Sequence, residues 1–245
     1  MENTKKNQLI IPSVIIGLAI VITSIVLNYS ASLFANKNDT IAVTGTAERV
    51  VDSDTAKWQI TVNIQSKTIE AGTPQVNSAV QKIEQYLTSH NINPSQVILG
   101  TLSNIQHCVL SSQGYENCSL GISSYTLNQT ITVESDDVKN IDLLSKDITT
   151  NLSSIDYTQN VEYYYNNLKN IRADMLSEAT KNALDRAQNV AEAGGAKIGK
   201  ITSLSSGVFQ VTAENSVNYD DSGSYDTSII KKKITATVKA NFSVR

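Results

Sequence analysis

The chain has 245 residues, a formal net charge of −3, 18% charged and 6% aromatic residues, and one tryptophan. That length holds one large or two small domains with a sizeable core. There is no clustered basic face and no aromatic base-stacking platform, so no nucleic-acid partner is expected. Sparse charge with abundant Ser, Thr and Asn suits an extracytoplasmic surface.

Lys5 and Lys6 precede an uncharged apolar stretch, LIIPSVIIGLAIVITSIVL, residues 9–27. As a helix it would reach about 28 Å, close to the thickness of a bilayer's hydrocarbon. Basic residues on its N-terminal side predict residues 1–8 in the cytoplasm, a signal anchor over 9–29 and a polar linker over 30–40. Residues 41–245 would then face outward, to the periplasm or cell surface. Cleavage at Ser30-Ala31-Ser32 is the rival reading, but a signal peptide's apolar region is usually shorter. Membrane lipid is therefore an expected partner, through residues 9–29.

Ile41, Val43, Gly45 and Ala47 alternate with polar or small residues, as in a strand. After a turn at Asp52-Ser53-Asp54, Ala56, Trp58, Ile60, Val62 and Ile64 alternate strictly with polar residues, predicting a half-buried antiparallel strand. The two are expected to form a hairpin. Thr73-Pro74 reads as the start of a helix with Val76, Val80, Ile83 and Leu87 buried, ending near His90. A strand is expected from Gln96 through Ile105 towards Cys108, and a return strand from Tyr125 to Val133.

Cys108 and Cys118 bracket VLSSQGYEN, whose centre reads as a turn. On facing positions of a hairpin they would suit a disulfide, which is the expected state. A reactive pair, or a metal site with His107, is the weaker reading. Nothing nearby marks a lowered thiol pKa, and a fourth metal ligand is missing.

Ser135-Asp136-Asp137 predicts the cap of a second helix, with Val138, Ile141, Leu144, Ile148 and Leu152 buried. Tyr157, Val161, Tyr163 and Tyr165 share the parity of a strand. Then comes the strongest pattern in the chain. Ile171, Met175, Ala179, Ala183, Ala187 and Ala191 run at i,i+4 spacing, flanked by Leu168, Leu176, Leu184 and Val190. Gly194-Gly195 ends that helix. A strand starts at Lys200, residues 212–228 read as an acidic loop, and Ile234 to Val244 alternate as the last strand. Lys231-Lys232-Lys233 at its start reads as edge protection. The order predicts an α+β domain, a largely antiparallel sheet covered by helices on one side, behind one N-terminal transmembrane helix.

Several stretches together resemble the SIMPL-domain family. They are Val43-Thr44-Gly45 with Ala47, Asp54-Thr55-Ala56 leading to Trp58, Tyr125–Val133 before a helix, and Ala183–Ile201, ALDRAQNVAEAGGAKIGKI. The resemblance spans residues 41–245. It implies an envelope or periplasmic protein, in some members linked to oxidative stress or immunogenic, and a homo-oligomer. It carries over no catalytic residues. This chain differs in its apolar anchor and in the Cys108–Cys118 insertion.

No catalytic, cofactor-binding or metal site is expected. His90 reads as a helix C-cap. Asp220-Asp221-Ser222-Gly223-Ser224-Tyr225-Asp226 lacks the alternating ligands and closing glutamate of a calcium loop. The expected function is a non-enzymatic, membrane-anchored, self-assembling scaffold or stress-protective module. The alternative is a peptide- or small-molecule-binding module with residues 211–228 as its lid.

Overall fold

The computed structural model of the chain describes residues 15–30, 40–216 and 223–245. Residues 15–30 form a helix, α1, whose apolar side chains are exposed, Ile15 at 62% and Leu27 at 66% among them. This stretch is therefore not a core helix. No helix among the described residues is long and apolar enough to cross a membrane. Residues 9–14 of the expected anchor, residues 31–39 of the linker and Asp220-Asp221-Ser222 lie outside the described residues.

The rest of the chain runs β1 (Thr40–Asp52), β2 (Thr55–Ser66), α2 (Ile69–Ser89), β3 (Val97–Leu99), β4 (Ser103–Cys108), β5 (Ile122–Ser135) and α3 (Val138–Asn151). It continues through β6 (Tyr157–Tyr164), α4 (Leu168–Ala193), β7 (Ile198–Ser206), β8 (Gln210–Ala213) and β9 (Lys231–Val244). Two compact units result. One holds Met1–Ala47, Leu176–Gly207 and Thr237–Arg245; the other holds Glu48–Met175 and Val208–Ala236.

In the larger unit the period-two pattern of β2 buries Ala56, Trp58, Ile60 and Val62 completely. β5 pairs with one flank of β2 (Ile60 opposite Ile131) and β6 with the other (Trp58 opposite Val161). Val76, Val80, Ile83 and Leu87 of α2 and Val138, Ile141, Leu144 and Ile148 of α3 close over that face. Each fully buried aliphatic side chain contributes roughly 1.5–3 kcal/mol. The Trp58 indole N–H donates to Gln159 Oε1 at 2.9 Å, and Gln159 Nε2 donates to the Ser145 carbonyl at 2.9 Å. The indole N–H inside this core is thereby satisfied, as are the hydroxyls of Tyr86, on the Leu144 carbonyl at 3.2 Å, and Tyr163, on Asp142 Oδ1 at 2.8 Å.

The expected β1–β2 hairpin does not form, and the strands make two sheets rather than one. With both flanks of β2 occupied, β1 joins a separate sheet in the order β1-β9-β7, with β8 also paired to β9. The backbone of the Asp52–Asp54 turn is held from elsewhere, Ser53 N–H by the Ile230 carbonyl and Asp54 N–H by the Tyr164 carbonyl, both at 2.9 Å.

Three boundaries also differ from expectation. α2 begins at Ile69 under a Thr68 cap, so Pro74 lies inside the helix. The strand expected from Gln96 to Cys108 is broken at Gly100 into β3 and β4, both paired to β5. Residues 210–213, of which 212 and 213 read as loop, form β8, because β9 offers Lys232–Thr235 as partners.

In the smaller unit the alanine pattern of α4 sets the packing. Ala179 lies with Ala47 and Val238, and Ala183 and Ala187 lie with Ala240 and Phe242. Gly45 of β1 sits so close that an added Cβ would overlap the Ala179 carbonyl oxygen and the Ala183 amide nitrogen. Leu184 and Val190, expected on the flanks of the buried face, are exposed at 37% and 54%. Gly195 supplies the left-handed residue after the helix, with φ 73°.

Candidate functional site

In the larger unit the chain leaves β6 through Tyr165-Asn166-Asn167 and enters α4 at Leu168. Asp54 fastens this corner. Its carboxylate accepts from the Asn166 N–H at 2.9 Å, the Asn167 N–H at 3.2 Å and Asn167 Nδ2 at 3.0 Å. Tyr225 crosses the same corner, its hydroxyl accepting from Tyr165 N–H at 2.8 Å and donating to the Tyr165 carbonyl at 3.3 Å. The segment carrying Tyr225 is pinned by Val211, whose N–H donates to the Ser224 carbonyl and whose carbonyl accepts from Asp226 N–H, both at 2.8 Å.

Beneath it, Lys232 is fully buried, with Nζ donating to the carbonyls of Asp226 at 2.5 Å and Ile229 at 2.8 Å. Burial pulls its pKa below the usual lysine value, partly opposed by the Asp226 carboxylate. Edge protection therefore fails as a reading of the three lysines. β9 runs inside its sheet, and the middle lysine ties down the segment that delivers Tyr225.

These elements enclose an open concavity of about 410 Å³ lined by Tyr164, Tyr165, Asn166, Leu168, Lys169, Arg172 and Tyr225. The Tyr164 and Tyr225 rings stand 6.1 Å apart at 30°. The Arg172 guanidinium lies over the Phe209 ring at 4.8 Å. Among the described residues, no carboxylate pairs with Lys169 or Arg172. Strand parity in the sequence set Tyr165 on the face of Tyr163; the structure places Tyr164 and Tyr165 together on this wall with Tyr225. The available signal was two cations three residues apart at the opening of a helix, where the helix dipole disfavours positive charge.

The second feature is an uncharged edge. From residue 85 to residue 133, the sole Asp, Glu, Lys or Arg is Glu116. β3 and β4 pair with the flank of β5 away from β2 and leave their other side open, with Ile98, Leu99 and Ile105 exposed. Cys108 and Cys118 are disulfide-bonded with a Cα separation of 4.8 Å. The bond ties off an excursion that exposes Leu110, Tyr115 and Leu120. The partners are not simple facing strand residues. Cys108 sits at a bulge opposite Ile122, and Cys118 opens a short 3-10 turn capped by Asn117.

The residues with catalytic potential are kept apart or already engaged. His90 caps α2, with Nδ1–H donating to the Tyr86 carbonyl at 2.8 Å. His107 Nε2 is bonded to the Thr126 hydroxyl at 2.8 Å, and Nδ1 lies 3.5 Å from Glu116. Asp54 precedes β2, whereas His107 pairs with Ser124, next to the Tyr125 that faces Ser66 at the far end of that strand. At the usual strand rise that is roughly 35–40 Å. The described residues hold no group of three or more His, Cys, Asp or Glu placed to bind a metal ion.

Two antiparallel sheets, one backed by α2 and α3 and the other by α4, with a disulfide on one edge, define an α+β fold. Residues 41–242 match the family model described as SIMPL, protein of unknown function (DUF541). The chain belongs to the SIMPL family. A comparison with curated proteins finds no match.

Proposed function

We propose that this SIMPL protein is a single-pass membrane protein, anchored by residues 9–29 with its N-terminus in the cytoplasm. Its outward domain would self-assemble into a homo-oligomeric scaffold of the cell envelope. The observation that carries the tether is α1, apolar along its length and exposed on every side, a surface that water disfavours and lipid accepts. The self-assembly reading is supported by the uncharged β3–β4 edge. Its strands β3 and β4 carry no charged residue and no proline, which are common guards against strand addition. A stress-protective role is part of the same proposal, taken from the SIMPL resemblance. We read the domain as non-enzymatic, because Asp54 and His90 are engaged in holding turns and caps and His107 lies far from Asp54 along the sheet.

Light scattering on the full chain in detergent tests the assembly. A discrete multimer is expected, and Ile105→Lys, which puts a charge on the open edge, should dissociate it. A monomer at every concentration would overturn the scaffold reading. A second reading, a small-molecule-binding module, is favoured by one observation, the tyrosine-walled concavity held open beside Arg172.

A further inference from the structure

We infer that this concavity binds a small aromatic carboxylate. The inference rests on the binding-module reading and is independent of whether copies of the chain associate.

The argument begins with charge. The Arg172 guanidinium carbon lies 4.8 Å from the centre of the Phe209 ring, and among the described residues no hydrogen bond or ion pair takes up its N–H groups. Those groups form the planar fork that matches a carboxylate. Lys169 lies one turn earlier on the same helix face and lines the same space. Neither neighbouring carboxylate forms an ion pair with these two cations. Asp54 is taken up by the Asn166 and Asn167 amides, and Glu162 accepts the Tyr164 hydroxyl at 3.0 Å. Two cations in the opening turns of a helix run against its dipole, so helix stability does not explain them.

The remaining wall selects the body of the ligand. Tyr164, Tyr165 and Tyr225 present rings, Leu168 is aliphatic, and Asn166 is the one uncharged amide on the lining. The Tyr164 and Tyr225 hydroxyls are already committed, to Glu162 and to the Tyr165 backbone, so a sugar acid would find few partners here for its several hydroxyls. An aromatic ring needs only a face to stack on. The wall is also set in advance, since the Tyr225 hydroxyl is held from both sides by the Tyr165 backbone. A volume of about 410 Å³ admits a ligand of one or two rings.

Indole-3-acetate is a suitable probe, measured by equilibrium dialysis against the full chain in nanodiscs, with empty nanodiscs as blank. Saturable binding with a Kd of about 1 mM or tighter is expected for a ligand of that size. Arg172→Gln should weaken it about tenfold, and Lys169→Gln several-fold. Neutral indole-3-acetamide and ringless acetate should each bind at least about tenfold more weakly than indole-3-acetate. Both substitutions are at exposed positions, and an unchanged circular dichroism spectrum confirms the fold. The inference is overturned by any of three results: no saturable binding up to about 5 mM, equal affinity for the acid and its amide, or undiminished binding by Arg172→Gln.

Discussion

Gly45→Ala tests the most demanding contact in the smaller unit. The new Cβ would fall on the Ala179 carbonyl oxygen and the Ala183 amide nitrogen, with the Ala183 Cβ only 2.7 Å away. None of these belongs to a side chain that can swing aside. Relief requires β1 or α4 to move by about 1 Å, which opens gaps around Ala179, Ala183 and Ala187, now fully buried. Inserted methylenes that flexible side chains can absorb cost about 1–3 kcal/mol. Here the opposing atoms are mostly backbone, so a loss of about 3–5 kcal/mol is expected, towards the extreme of single substitutions. For a chain of this size that lowers Tm by about 10 °C or more. The assay is thermal unfolding of the full chain in detergent, followed by far-ultraviolet circular dichroism. Gly194→Ala is the control. Its Cβ would meet nothing closer than 3.4 Å, and its Tm should stay within a few degrees. If Gly45→Ala loses no more than Gly194→Ala, close backbone approach is not why α4 carries alanines.

Two further outcomes follow from the larger unit. The Asp142 carboxylate is held below the usual range by the Lys146 ammonium at 2.7 Å, with burial opposing and the Tyr163 hydroxyl assisting at 2.8 Å. A depressed folded pKa contributes stability above the unfolded value, and that stability is lost as pH falls through the folded value. The urea midpoint should therefore drop below about pH 4, and Asp142→Asn should flatten that drop; an unchanged slope would refute the linkage. Replacing Cys108 and Cys118 together by serine should cost about 2–3 kcal/mol from the reopened loop of about ten residues. Trp58, the single tryptophan, reports it by fluorescence from the same sheet, and an unaltered urea midpoint would mean the excursion is held by other contacts.

Much of the architecture was legible because it follows from periodicity. The two-residue alternation of Ala56–Val62 and the four-residue steps from Met175 to Ala191 each state which face is buried, whatever lies opposite. The disulfide was legible too, from two cysteines either side of a turn-like segment. The site was less so. Lys169 and Arg172 look like ordinary solvent charges in sequence, and the aromatic wall comes from Tyr164, Tyr165 and Tyr225, about sixty residues apart.

Sequence by itself determined most of the strands and helices, which face of each is apolar, and that residues 9–27 are a chemically separate, uncharged apolar stretch. These are local properties, encoded in the order of neighbouring side chains. Only the tertiary structure decided which strands pair. β2 is flanked by β5 and β6, and β1 is thereby sent to a different sheet, because a strand has two edges and both were taken. It also decided that Lys232 is buried, that β9 is interior, and that Tyr225 closes over the start of α4. The place of β9 and of Tyr225 depends on which distant backbone supplies the hydrogen-bond partner, and no short window of sequence contains that partner; the carbonyls that hold Lys232 are close in sequence, but the burial around them comes from the packed fold.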